Sequence, residues 1–201
     1  MPTSLPEQTV TGEGGPETRY AYKASLIGSA HEFELTDTGL SFRVGSRSGV
    51  WPYGEIAAVR LSFRPVSMQA RRFRADIEKA GGGRIAILST TWQTASLMAP
   101  QDRGYRAFIV ELHRRMNAAG SKAALIGGIG PKTYAAALVM LALLAIAMTG
   151  LLIRAVATSE WVGVLFLIGF ALLFTWQVGG FVKRNRPRDY SFDALPDELL
   201  P

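Results

Sequence analysis

Two long runs without a charged side chain, residues 134–153 and 161–182, constrain this chain more than any other feature. A helix rises about 1.5 Å per residue, so each run is long enough to cross a hydrocarbon core of about 30 Å. Lipid offers no water to backbone N–H and C=O groups, and a segment that crosses it alone must be helical to satisfy them. Residues 154–160 are too few to form a domain. The two runs are therefore expected to make a transmembrane hairpin within 132–182.

The net charge of +6 is unevenly distributed. Lys183, Arg184, Arg186 and Arg188 crowd the exit of the second run, Lys122 and Lys132 precede the first, and the connection carries only Arg154 and Glu160. Basic residues gather on the cytoplasmic side of membrane helices. Lys183, Arg184, Arg186 and Arg188 are accordingly read as topology determinants, with both termini cytoplasmic and the loop outside. Residues 1–19 have neither the basic start nor the apolar run of a signal peptide. Rich in Pro, Gly, Thr and Glu, they read as a disordered tail. The chain has no cysteine, which excludes disulfides, thiolate metal sites and cysteine nucleophiles.

Between 20 and 91 the apolar residues recur with period two. Phe33 and Leu35 alternate with Glu32 and Glu34, a Thr36-Asp37-Thr38-Gly39 turn follows, and Leu40, Phe42 and Val44 continue the alternation. This pattern predicts a hairpin with one buried face. Pro52 marks the next strand as an edge. Further alternations run over 56–63, where Pro65 ends the pattern, over 72–78, and over 84–89 beyond the Gly81-Gly82-Gly83 turn. Six or seven antiparallel strands are expected. The period then changes: Tyr105, Phe108, Ile109, Leu112 and Met116 form one stripe of an amphipathic helix, with Asp102 as a candidate N-cap and Gly120 as its stop.

The run Phe33-Glu34-Leu35-Thr36-Asp37-Thr38-Gly39-Leu40, the step Trp51-Pro52-Tyr53-Gly54-Glu55-Ile56 and the helix around 108–112 resemble pleckstrin-homology-like (PH-like) domains of bacterial membrane proteins. The resemblance covers roughly 20–118. It implies an α+β fold, a PH-like β-barrel capped by its C-terminal helix, and a role in binding lipid, peptide or protein without catalysis. One departure is that the transmembrane helices follow the domain here, whereas comparable proteins place them before it.

Among candidate sites, Arg60, Arg72 and Arg74 are expected to share a strand face and are the candidate lipid- or partner-binding residues. Anionic headgroups attract such residues at about 1 kcal/mol each. Against this stands an ordinary solvated face, partly neutralised by Asp76 and Glu78. His31 and His113 have no second ligand at metal spacing and are assigned ordinary surface or edge roles. No Gly-x-Ser-x-Gly elbow or phosphate-binding glycine loop is present. Hence no catalytic residue, metal or cofactor is expected, and nucleic acid is not a favoured partner. In the apolar runs, Ala135, Ala142 and Thr149 recur every seven residues, and Gly163, Gly169, Gly179 and Gly180 lie on the second run. Small residues let helices approach closely, within the hairpin or between chains. The tail, 183–201, is too apolar at Tyr190, Phe192, Leu195, Leu199 and Leu200 for a solvated end. It either packs back on the soluble domain, the preferred reading, or forms a linear motif for a partner.

The resulting expectation is a multi-pass protein of the bacterial inner membrane. A cytoplasmic PH-like domain (20–118) is joined by a linker (119–131) to the hairpin. It would serve as a non-enzymatic module that meets membrane lipids, a membrane-protein partner or a second copy. The alternative is an accessory subunit of a larger membrane complex, held through the hairpin.

Overall fold

Period-two alternation gives the longer strands one apolar face, and the strands assemble into sheets that bury it. The computed structural model describes residues 18–64, 71–94 and 97–201. In it, β1 (Arg19–Tyr22), β2 (His31–Leu35), β3 (Gly39–Val44) and β4 (Arg47–Pro52) form a four-stranded antiparallel sheet in chain order. Phe33 lies opposite Phe42 and Leu35 opposite Leu40. Gly39 closes the turn between β2 and β3, because a Cβ there would strike the Trp51 carbonyl. Of the tail expected over 1–19, residues 1–17 lie outside the described residues. Arg19 already pairs with Glu34 in β1. The expected break at Pro65 also lies outside them.

β5 (Ile56–Phe63), β6 (Phe73–Lys79) and β7 (Arg84–Leu88) form the centre and one edge of a second sheet. Its core face pairs Val59 with Ile77, Leu61 with Ala75 and Phe63 with Phe73, and Ile85 and Ile87 continue it. A short ribbon, β8 (Thr90–Trp92) with β9 (Met98–Pro100), leads into α1 (Asp102–Ala118).

Among the described residues, no sheet closes on itself. At the seam the hydroxyls of Tyr20 and Tyr22 donate to the carbonyls of Leu88 and Ala86 on the free edge of β7, at 2.6 and 2.7 Å. Side chains thus satisfy acceptors that a backbone ladder would satisfy in a closed barrel.

The stripe of α1 is buried throughout, with Tyr105 and Phe108 against Tyr20. Gln101 occupies the N-cap, and Asp102 sits in the first turn, where a carboxylate suits the helix dipole. Gly120, at φ 64°, ends the helix: its N–H bonds the Asn117 carbonyl while the Ser121 N–H bonds the Met116 carbonyl. Glu111 is held by Arg114 and Arg115, whose guanidinium groups lower its pKa to about 2. Arg115 also donates to the Leu35 carbonyl, tying α1 to the first sheet.

Residues 119–131 do more than link. β10 (Ala124–Gly127) runs parallel to β5, and β11 (Arg188–Asp189) pairs antiparallel on its other side. The second sheet is therefore not wholly antiparallel, contrary to expectation. Four residues are too few to show a period, and the alignment with β5 depends on where the following helix must start. The two apolar runs form α2 (Pro131–Ala157) and α3 (Trp161–Arg184), each long and apolar enough to cross a membrane. They rise about 40 and about 36 Å, and α2 extends past both ends of the expected run. Their large apolar side chains, among them Ile146, Ile153, Leu165, Phe166 and Trp176, are exposed to their surroundings.

The tail packs back. Leu199 and Leu200 enter the core, and Arg106 forms an ion pair with Asp197 at 2.6 Å. His113, expected at the surface, is buried beneath this tail. Its Nδ1 lies 2.7 Å from the Ile109 carbonyl, which can only accept, so Nδ1 carries the proton. Nε2 then accepts from the Tyr190 hydroxyl at 2.9 Å, and Phe192 packs edge-on to the ring. Helical spacing placed His113 beside the apolar stripe, and only the returning tail converts that flank into interior. His31, at the start of β2, is half-buried, with Nδ1 3.1 Å from the Tyr22 hydroxyl.

Burial pulls the His113 pKa below its ordinary value of 6.5, so the unfolded chain takes up a proton that the folded chain resists. Stability conferred by the neutral ring is present above pH 6.5 and is lost as pH falls below it, by at most about 1.4 kcal/mol per pH unit. Thermal unfolding of the detergent-solubilised protein between pH 7.5 and pH 5, a range of about two to three units around the histidine pKa, should show a decline that is shallower in His113→Phe. Equal slopes would remove this role.

Candidate functional site

Alternation in β5 and β6 places Arg60, Ser62, Arg74, Asp76 and Glu78 on the face opposite the core, with Arg60 opposite Asp76 and Ser62 opposite Arg74. Arg72, just before β6, continues the same alternation. The structure therefore brings Arg60, Arg72 and Arg74 to one face, but it also engages Arg72 and Arg74 within the chain. Asp76 is fully buried under its neighbours. Arg74 grips its carboxylate through Nε at 2.9 Å and Nη2 at 2.6 Å, and Arg84 adds a contact at 3.0 Å. Arg72 donates to Thr90 Oγ1 at 3.1 Å and meets Met98 Sδ at 2.9 Å. Arg60 is half-buried, and its Nη1, like the Ser62 hydroxyl, has no hydrogen-bond partner among the described residues.

This arrangement is a layer of arginines laid over one carboxylate. A buried carboxylate bound by guanidinium groups is costly to break, because the remaining charges lose their partners. Arg74→Glu would set a second carboxylate beside Asp76 and so would test folding before it tested binding. Neutralising the carboxylate with Asp76→Asn should lower stability by about 2 kcal/mol, read as a lower unfolding midpoint; an unchanged midpoint would show that the arginines do not depend on it.

The second constellation lies where the hairpin meets the sheet. Asn185, one residue beyond α3, is fully buried. Its Oδ1 accepts from the Phe63 N–H at 3.0 Å, and its Nδ2 donates to the Phe63 carbonyl at 2.8 Å. An amide side chain carries both N–H donors and a carbonyl acceptor, so it can meet a peptide group as another peptide would, and Nδ2 also donates to the Phe181 carbonyl at 3.2 Å. Asn185 therefore extends the ladder on β5 by one rung past Gly127. Gly128 adjoins this rung: its N–H bonds the Leu61 carbonyl at 2.8 Å, and the Ile129 N–H bonds the Asn185 carbonyl at 3.1 Å. Gly128 has φ 85°, and a Cβ there would sit 2.5 Å from the Asn185 oxygen, so the crossing needs glycine.

The four juxtamembrane residues have different surroundings. Lys183 and Arg186 are exposed. The Arg184 guanidinium lies 5.0 Å over the Phe63 ring, and Arg188 belongs to β11 and pairs with Glu198 at 2.9 Å. Asn185, Gly128 and the burial of Asp76 are not legible in sequence: an asparagine after an apolar run and a glycine in a loop are commonplace without their partners. Among the described residues, no cluster of His, Asp and Glu could hold a metal ion.

Asn185→Ala orphans a buried N–H and a buried C=O, at a cost of about 2–4 kcal/mol. Faster hydrogen exchange at the Phe63 amide would report it, with Asn185→Asp falling between, since it keeps only the acceptor; unaltered exchange in both variants would show that the rung is dispensable. No family model matches the chain, and neither a curated protein nor a solved structure is found to be similar to it.

Proposed function

We propose that this protein is a membrane-anchored, non-enzymatic interaction module. A PH-like unit is held at the cytoplasmic face of a bacterial inner membrane by the α2–α3 hairpin, both termini are cytoplasmic, and the unit meets anionic lipid or a membrane-protein partner there. The four-stranded β1–β4 meander, the β5–β7 sheet and α1 packed beside β1 support the PH-like reading. The observation that carries the proposal is the Asn185 rung, with Gly128 beside it. It joins the hairpin to the sheet by buried hydrogen bonds, so the domain is fixed against the hairpin and is not tethered loosely. Confinement at a surface raises the effective concentration of lipids and membrane proteins around the domain.

A second reading, an accessory subunit of a larger membrane complex, draws on the hairpin itself. Positions Gly169, Gly179 and Gly180 of α3 face open space, where another helix could approach closely.

The first reading requires the full-length protein to stay in membranes washed with alkaline carbonate, and a reporter fused after Pro201 to report a cytoplasmic position. Purified in gentle detergent, the protein should retain anionic lipid in a salt-sensitive manner, and Arg60→Gln with Arg72→Gln should weaken that retention if this face takes part. Extraction by carbonate or an external reporter would end the proposal. Recovery of a stoichiometric membrane-protein partner, lost on Gly169→Leu, would favour the second reading.

A further inference from the structure

We infer that the end of the soluble domain where β5 ends and β6 begins faces the bilayer, and that Arg64 and Arg71 there bind the headgroup phosphates of anionic lipids beside Lys183. This deepens the proposed function and rests on its reading of α2–α3 as membrane-spanning.

The direction comes from strand polarity. β5 and β10 are parallel, so both run toward the same end of the sheet. At that end β10 passes through Gly128 and Gly130 into the first turn of α2, and Asn185, immediately after α3, clasps Phe63, the last residue of β5. The first turn of α2, the last turn of α3 and the end of β5 therefore meet at one level. If α3 crosses the apolar core, Lys183 in its last turn lies among the headgroups. Arg64 directly follows Phe63, one Cα step of about 3.8 Å away, and must lie at nearly the same height. The Arg64 N–H bonds the Arg72 carbonyl at 2.8 Å, which brings Arg71 and Arg72 to this end as well.

Among the described residues, no carboxylate pairs with the charge at this end. Arg64 and Arg71 are exposed, and neither has an ion-pair partner among the described residues. Lys132, Lys183 and Arg186 are exposed on the adjoining segments, and no acidic residue occurs at 129–134 or 183–188. The contrast with Arg74 and Arg84, which share Asp76, separates these arginines from the face singled out in the sequence. Exposed guanidinium groups at headgroup level suit phosphate, which they can bind with two parallel hydrogen bonds. Near an anionic surface each basic residue strengthens binding about fivefold.

The test uses the full-length protein in phosphatidylcholine bilayers containing phosphatidylglycerol, with retained lipids counted by native mass spectrometry after gentle extraction. The wild-type protein should retain phosphatidylglycerol selectively. Arg64→Gln with Arg71→Gln should reduce this by about an order of magnitude or more. Arg64→Lys with Arg71→Lys should keep most of it, and Arg43→Gln with Arg47→Gln, on the other sheet, should leave it unchanged. Both arginines lie at the surface, so the glutamine pair should unfold at the wild-type temperature; if it does not, the lysine pair compared with wild type and with the Arg43 and Arg47 pair decides whether the retained lipid follows charge at this end. Undiminished retention in the glutamine pair, or equal loss in the Arg43 and Arg47 pair, overturns the inference. Release of the wild-type protein by carbonate overturns the membrane reading beneath it, and is thereby told apart.

Discussion

The two hydrogen bonds between the Asn185 amide and the backbone of Phe63 hold the two halves of the molecule in a fixed relation. Without them the ladder on β5 would stop at Gly128, leaving the Phe63 N–H and C=O buried without partners. The joint also explains its neighbours. Gly128 must be glycine because the chain leaving α3 passes directly over it. β10 must run parallel to β5 because it has to deliver the chain to α2 at the same level at which α3 returns. β11 and the tail then follow from the position of Asn185: once α3 ends against the sheet, the following residues lie along the outer edge of β10 and lead to the core pocket filled by Leu199.

Charge is used in two ways. On the outer face of the second sheet, Asp76 is sunk beneath Arg74 and Arg84, and the guanidinium groups mainly cover a buried carboxylate. Where β5 ends and β6 begins, Arg64 and Arg71 have no carboxylate to satisfy among the described residues. Counting arginines along the strands cannot separate these cases. The difference depends on which carboxylate lies within 3 Å of which guanidinium group, and that is set by strand register.

The seam between the sheets shows how an open architecture is kept dry. Tyr20 and Tyr22 lie on β1 with their rings in the core and their hydroxyls on the free edge of β7. Each residue contributes apolar area and satisfies a carbonyl, a combination that phenylalanine could not provide. α1 closes the neighbouring gap with its apolar stripe, and the Glu111–Arg115–Leu35 chain of contacts fixes the far end of that helix.

What could be read along the chain was whatever has a period or a run. The alternation at 33–44 and 56–63, the stripe from Tyr105 to Met116, the stop at Gly120 and the two apolar helices each repeat a signal over many residues, and local geometry alone turns such repeats into strands and helices. Single residues whose meaning depends on a distant partner were not legible. His113 became interior only when Tyr190 and Phe192 arrived, Asn185 became a rung only beside Phe63, and Asp76 became buried only beneath two arginines. The sequence by itself determined the class of the elements that repeat a signal and the presence of two apolar helices, because those follow from the hydrophobicity and spacing of neighbours. Tertiary structure alone decided the parallel β10, the open seam and which arginines pair with a carboxylate, because these depend on contacts between residues far apart in the chain, 122 positions in the case of Phe63 and Asn185.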